Sequence, residues 1–248
     1  KEAVEAALTL DIPVFLWSKP GIGKSSIIKL IGKEQDVEVR DERLSQLESV
    51  DLRGLPTISN NKTIWHIPSF LPTDPDSVGI LFLDEFNLAN ESVQAAAYQL
   101  VLDRALGDYK VPKGWRIVAA GNPEGGDISE ALANRFMHLY PDPTTSDWSR
   151  WAVKNNIHKD IIGFVNAKPE LLLATPTDHD INAYPTPRTW EYASKIHTNY
   201  KDSFLHPELM KAVVGEGASF EFSTHIHMLA KLPTLDELAA NPLDYDFT

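Results

Sequence analysis

The run Ser18-Lys19-Pro20-Gly21-Ile22-Gly23-Lys24-Ser25 constrains this chain more than any other, because of its setting. It follows the apolar segment PVFLW at 13–17 and precedes a helical pattern carried by Ile27, Ile28, Leu30 and Ile31. Strand, glycine-containing loop and helix in that order place a concave run of backbone N–H groups at a helix N-terminus, which is where phosphate binds. Gly21 and Gly23 let the backbone come close to such a group. Lys24 can reach β- and γ-phosphates, the Ser25 hydroxyl can ligate Mg²⁺, and Ser26 continues the run into the helix. Ser18 stands where the usual pattern has its first glycine. Serine is small, so a working loop with slightly altered entry geometry is expected.

Around this loop, short apolar runs alternate with helical patterns from about Pro13 to Pro143. The runs are PVFLW, VEVR at 37–40, GILFLDE at 79–85, WRIVAAGN at 115–122 and MHLY at 137–140. Alternation of this kind predicts an α/β parallel sheet, and near-continuous apolar strands are expected where helices cover both faces. Asn90 is expected to cap a helix whose Val93, Ala97, Leu100, Val101 and Arg104 recur at helical spacing. Asp127 with Glu130 reads as a capping box for a short helix reaching Arg135. After Pro141 and Pro143 strand runs stop and helical patterns dominate, including Trp190, Ala193, His197 and Tyr200, then Ala218, Phe222, Ile226 and Leu229. A boundary is expected near 143–146, giving an α/β core over 1–144 and a helical lid over 145–248 that ends in an acidic tail.

Ile80-Leu81-Phe82-Leu83-Asp84-Glu85 is a buried strand ending in two adjacent carboxylates. Both then lie at the carboxyl edge of the sheet, where α/β proteins bind ligands. Such a strand can also turn polar merely because it ends. With a phosphate loop about 60 residues upstream, Asp84 is read as holding Mg²⁺, mostly through water, and Glu85 as polarising the water that attacks a γ-phosphate. Asn122 ends the strand WRIVAAGN. It either closes that strand through Gly-Asn-Pro turn chemistry or presents an amide to the attacking water. Arg135 stands at a helix C-terminus, where the dipole alone favours a cation. Arg188 lies in Thr186-Pro187-Arg188, with Thr186 as N-cap and Pro187 at the first helical position. The dipole opposes a cation there, and a phosphate would give it a reason.

These pieces resemble AAA+ ATPases, and more closely their MoxR branch, through PGIGKSS, ILFLDEFNLA, VAAGNP, the LANRF segment and PTPRTW. The segment SQLESVDLRGLPTISNNKTIWHIPSFLP is similar to the inserted hairpin that marks this branch. The resemblance implies a P-loop AAA+ parallel five-stranded sheet flanked by helices, with a small C-terminal helical lid. It implies ATP and Mg²⁺ as cofactors and assembly into a ring, most commonly a hexamer. Asn122 corresponds to sensor 1, Arg135 to the arginine finger reaching the neighbour's ATP, and Arg188 to sensor 2, within or between subunits. By the same resemblance the partner is a remodelled protein or a von Willebrand factor A domain. The hairpin with its Asn-Asn turn and exposed Trp65, and the shorter turn in LGDYKVPKGW, either face the ring's centre or are ordinary solvent hairpins.

Composition excludes several other chemistries. The 248 residues contain no cysteine, which removes disulfides, thiolate metal sites and thiol nucleophiles. No apolar run approaches the roughly 20 residues a bilayer span needs, and no charged-then-apolar leader opens the chain, so a soluble cytoplasmic protein is expected. The net charge of −12, from 35 acidic and 23 basic residues, and the lack of a basic run weigh against nucleic acid as partner. His225 and His227 are two apart on a helical pattern, so they point to different faces and cannot chelate one ion. Arg53, in DLRG, carries no definite chemistry. A nucleic-acid-linked motor and a non-catalytic assembly switch stay open as alternatives. A small-molecule kinase would use the same loop but would need neither sensors nor an arginine from a neighbour.

Overall fold

The computed structural model describes residues 1–176 and 182–231, so the acidic tail lies outside the described residues. The chain divides into two compact units, Lys1–Asp142 and Pro143–Thr248. Among the described residues no helix is long and apolar enough to cross a membrane.

The first unit is built on β1 (Val14–Trp17), β2 (Glu38–Arg43), β5 (Val78–Asp84), β8 (Gly114–Gly121) and β9 (Met137–Leu139). Two hairpins stand apart from this sheet: β3 (Leu55–Ser59) with β4 (Lys62–His66), and β6 (Ala105–Leu106) with β7 (Tyr109–Lys110). The main sheet runs in the order β2-β5-β8-β1-β9 with every pair parallel. Chain connections leave β1 in one direction for β2 and pass it in the other to reach β9. That reversal opens a crevice at the carboxyl ends of β1, β8 and β5.

Strand periodicity sorts the apolar residues onto two faces. Phe15, Leu81, Leu83, Ile117 and Ala119 pack on one side, against residues of α3 (Ser49–Arg53) and α4 (Glu91–Asp103). Val14, Leu16, Ile80, Phe82, Val118 and Ala120 pack on the other, against α1 (Glu2–Thr9) and α2 (Lys24–Gln35). Both faces are covered, which is why these strands read as unbroken apolar runs. The exception is β2, an edge strand of sequence EVRDER that is nowhere fully buried and extends to Arg43 rather than stopping at 40. Charged side chains on an edge also discourage pairing with another chain.

Asn90 stands at the N-cap of α4, although its side chain makes no capping bond. The short helix α5 (Glu130–Ala133) corrects the capping expected of Asp127: Ser129 is the N-cap, its hydroxyl accepting the Leu132 amide, and Arg135 lies just beyond the helix. The Asn60-Asn61 turn of the first hairpin has φ values of 49° and 58°, the left-handed pair that suits a two-residue loop. Its Ile58 is 85% and its Trp65 46% exposed.

The second unit holds α6 (Thr145–Lys154), α7 (Lys159–Ala167), α8 (Pro187–Tyr200), α9 (His206–Val214) and α10 (Glu216–Leu229). Trp148, Phe164, Trp190, Met210 and Phe222 form its core. Helix α8 starts as its sequence suggests: Thr186 accepts the Thr189 amide, Thr189 accepts the Thr186 amide, and Pro187 fills the first turn.

Candidate active site

The loop after β1 opens on a residue that behaves as strand. Ser18 is buried, and its amide donates to the Gly121 carbonyl at 3.2 Å, extending the β1–β8 ladder by one residue. Serine is tolerated in place of glycine because the backbone there is still extended by pairing. The turn itself falls to Gly21 and Gly23, with φ of 82° and 93°, values that cost an L-residue strain. Gly23 is also the N-cap of α2, so the amides of Lys24, Ser25 and Ser26 stand in the first turn of the helix. The Lys24 ammonium folds back over the loop, donating to the Ser18 carbonyl at 2.8 Å. Lys19 reaches toward Glu124 at 3.9 Å, while Pro20 and Ile22 complete the loop.

Strand β5 delivers the two carboxylates to the same edge. The Ser25 hydroxyl donates to Asp84 Oδ2 at 3.2 Å, and Asp84 Oδ1 accepts the Glu85 amide at 2.9 Å. Asp84 is nearly buried, and a hydroxyl and an amide satisfy its two oxygens. Glu85 takes a left-handed backbone, φ 55°, which turns its side chain away from the strand direction. Its carboxylate accepts the hydroxyl of Ser45, which follows β2.

The sequence alone did not single out Ser45, and it also passed over Asn87. Asn87 is 5% exposed and joins β5's exit to β8's exit. Its Nδ2 donates to the carbonyls of Asn122 and Gly126, each at 2.7 Å, and its Oδ1 accepts the Asn122 amide at 3.1 Å. Gly121 makes this possible, since a Cβ there would lie 2.5 Å from Asn87 Oδ1. The only signal in the sequence was a polar side chain inside an otherwise apolar run. Asn122 is therefore held by its backbone, while its Oδ1 accepts the Glu124 amide at 3.1 Å. This is the turn chemistry of Gly-Asn-Pro, and it leaves Nδ2 with no hydrogen bond among the described residues.

A third pair fixes the segment leading to Arg135. Trp17 Nε1 can only donate, so His138 Nδ1, 2.8 Å away, accepts. The ring's proton is then on Nε2 and is donated to the Ala133 carbonyl at 2.7 Å. Arg135, two residues on, is exposed, and among the described residues it has no ion-pair partner. Arg188 is exposed in the first turn of α8 and belongs to the second unit. The first unit thus gathers Ser18 to Ser26, Asp84, Glu85 and Asn122 at the carboxyl edge of one sheet, beside the reversal in strand order. The arrangement offers amides and a lysine to an anion, oxygen donors to a hard cation, and a carboxylate to water.

No family model matches the chain. A variant of RuvB from Thermotoga maritima is similar in structure, with a TM-score of 0.52 at 18% identity over 97% of this chain and 78% of that one. NtrX from Brucella abortus in complex with ADP gives a TM-score of 0.53 at 13% identity over 98% of this chain and 56% of that one. In sequence the chain is 27% identical to Midasin from Giardia intestinalis over 175 residues, 65% of this chain. The chain spans 4% of the length of that Midasin. These likenesses show the fold: the chain has the five-stranded parallel sheet flanked by helices of AAA+ P-loop proteins.

Proposed function

We propose that the chain is a magnesium-dependent ATPase of the MoxR type, working in a ring of identical subunits to remodel or assemble a protein partner. The observation that carries this reading is the Ser25–Asp84 contact at 3.2 Å beside the Gly21–Gly23 loop. A hydroxyl and a carboxylate meeting at a phosphate loop are the oxygen donors a hard divalent ion requires, so these residues fit Mg²⁺. The ion, when bound, neutralises charge developing on the β- and γ-phosphates. Loop amides of Gly21 to Ser26 cradle the phosphates, and Lys24 exchanges the Ser18 carbonyl for a phosphate oxygen. Glu85 accepts a hydrogen bond from the attacking water and aligns it, and the Nδ2 of Asn122 supports that water or the γ-phosphate.

Arg135 suits a role outside its own subunit, because it is exposed and unengaged among the described residues. A neighbour's γ-phosphate is the reading the MoxR resemblance supports, with a hexamer as the ring. Arg188 is assigned to the nucleotide as well, in its own subunit or in trans. The exposed Ile58 and Trp65 of the first hairpin support a docking role toward a protein partner, a von Willebrand factor A domain among the candidates. The net charge of −12 supports a protein rather than a nucleic acid partner, and a cytoplasmic setting accords with the absence of cysteine.

Nucleotide titration of the wild type and Lys24→Ala proteins, with phosphate release followed in parallel, tests this reading. Tight ATP binding is expected in the wild type and lost in Lys24→Ala, with hydrolysis that DNA and RNA do not stimulate. Equal ATP affinity in the two proteins contradicts the loop assignment. Several-fold stimulation by nucleic acid instead points to a nucleic-acid-linked motor.

A further inference from the structure

We propose that His158, Asp160 and His197 form a binding site for one zinc-type divalent metal ion within the second unit. His158 is the N-cap of α7, Asp160 lies in its first turn, and His197 is in the last turn of α8. Packing of α7 and α8 brings one ligand atom from each residue within 4.8 Å of the others, the one such group of three among the described residues. His197 Nε2 is 3.0 Å from Asp160 Oδ2, and His158 Nδ1 is 3.7 Å from the same oxygen.

Two imidazoles and a carboxylate are the donor set of borderline divalent ions, and three protein ligands leave a fourth position for water. Metal–ligand distances of about 2.0–2.1 Å in tetrahedral geometry place ligand atoms about 3.3 Å apart. The His197–Asp160 pair already has close to that spacing. His158, with 23% of its side chain exposed, is the ligand free to close the remainder. Its Nδ1 now accepts the Asp160 amide at 3.2 Å, a helix-start donor that water can satisfy instead.

The surroundings prepare these groups for an ion. His197 has 2% of its side chain exposed, and its Nδ1 lies 3.0 Å from His206 Nε2. With Nε2 turned to a metal, Nδ1–H donates to His206, the outer hydrogen bond that fixes a ligating imidazole's tautomer. The His158 amide donates to Ser194 Oγ at 2.7 Å, holding the start of α7 against α8. One group competes. The Lys201 ammonium lies 3.4 Å from Asp160 Oδ2, but half of its side chain is exposed and it can swing into water. His225 and His227, although close in sequence, are not part of the group.

The rival account is a hydrogen-bonded relay from Asp160 through His197 to His206 with no place for a metal. The full chain, stripped with chelator, is titrated with Zn²⁺ by calorimetry and with Co²⁺ by visible absorption. One ion per chain and tetrahedral Co²⁺ bands are expected. His158→Gln and Asp160→Asn should each weaken zinc binding about tenfold or more. Lys201→Met should tighten it, and His225→Gln should leave it unchanged. Circular dichroism confirms folding, and substituting the partly exposed His158 spares the buried His197. No stoichiometric zinc binding, or binding that none of the His158, Asp160 and Lys201 substitutions alters, overturns the site and leaves the relay.

Discussion

The Ser45 hydroxyl donates to the Glu85 carboxylate, joining the exit of β2 to the exit of β5 across 40 residues of sequence. A carboxylate has room for about four hydrogen bonds, so Glu85 can keep Ser45 and still accept a water. Ser45 then sets the direction of the carboxylate rather than occupying it. Ser45→Ala should leave ATP affinity unchanged and lower hydrolysis up to about tenfold, the loss of roughly 1.4 kcal/mol of orientation. Ser45→Thr should retain most activity. A faster Ser45→Ala enzyme, measured by phosphate release, would show that Ser45 restrains Glu85 instead of aiming it.

Asn87 should matter for stability and for hydrolysis together. Asn87→Ala removes the partners of two carbonyls and one amide at the exit of β8. Leaving a buried polar group unpaired costs about 1–3 kcal/mol. The melting temperature without nucleotide should therefore fall by several degrees, and hydrolysis should fall because Asn122 is no longer held. Asn87→Asp keeps the shape and the acceptor but loses the donor, so it should rescue neither property fully. A variant with wild-type melting and activity would remove Asn87 from the site.

The contrast between these residues and the phosphate loop shows what was legible in the sequence. Strands β1, β5 and β8 could be read because both of their faces are buried, which writes an apolar run into the chain. Strand β2 is legible only to residue 40 because an edge strand carries no such run, and its EVRDER is stabilised by pairing to β5. Gly21, Gly23, Lys24 and Ser25 are adjacent and share one local chemistry. Ser45–Glu85 and Asn87–Asn122 instead depend on strand order, since their partners meet only because β2, β5 and β8 lie side by side. Asp127 with Glu130 reads as a cap for α5, but Ser129, two residues closer to Leu132, offers the oxygen that accepts the Leu132 amide. The histidine group of the second unit was hidden for the same reason as Ser45. His158 and His197 come from different helices, and only α7–α8 packing joins them.

Arg135 should act only in trans. Arg135→Ala should bind nucleotide and lose hydrolysis, since an arginine that stabilises charge in phosphoryl transfer contributes about 10³–10⁵ in rate. Activity per subunit of the wild type should rise with protein concentration as rings form. Mixing Arg135→Ala with Glu85→Gln subunits should restore some activity, because one interface in a mixed ring then holds an intact Glu85 facing an intact Arg135. No recovery in mixed rings confirmed by native mass spectrometry would assign Arg135 elsewhere. Concentration-independent hydrolysis by a monomer would remove the ring from the mechanism.

The most direct measurement compares ATP binding and ATP hydrolysis in wild type and Glu85→Gln protein, with magnesium and with EDTA. Lys24, Ser25 and Asp84 are untouched by the substitution, so ATP affinity should stay within a few-fold of wild type. Losing the group proposed to align and polarise the attacking water should lower hydrolysis by about 10²–10⁴. EDTA should abolish hydrolysis in the wild type by removing the magnesium that Ser25 and Asp84 would hold. A Glu85→Gln protein that hydrolyses ATP at close to the wild-type rate would contradict the account at its centre.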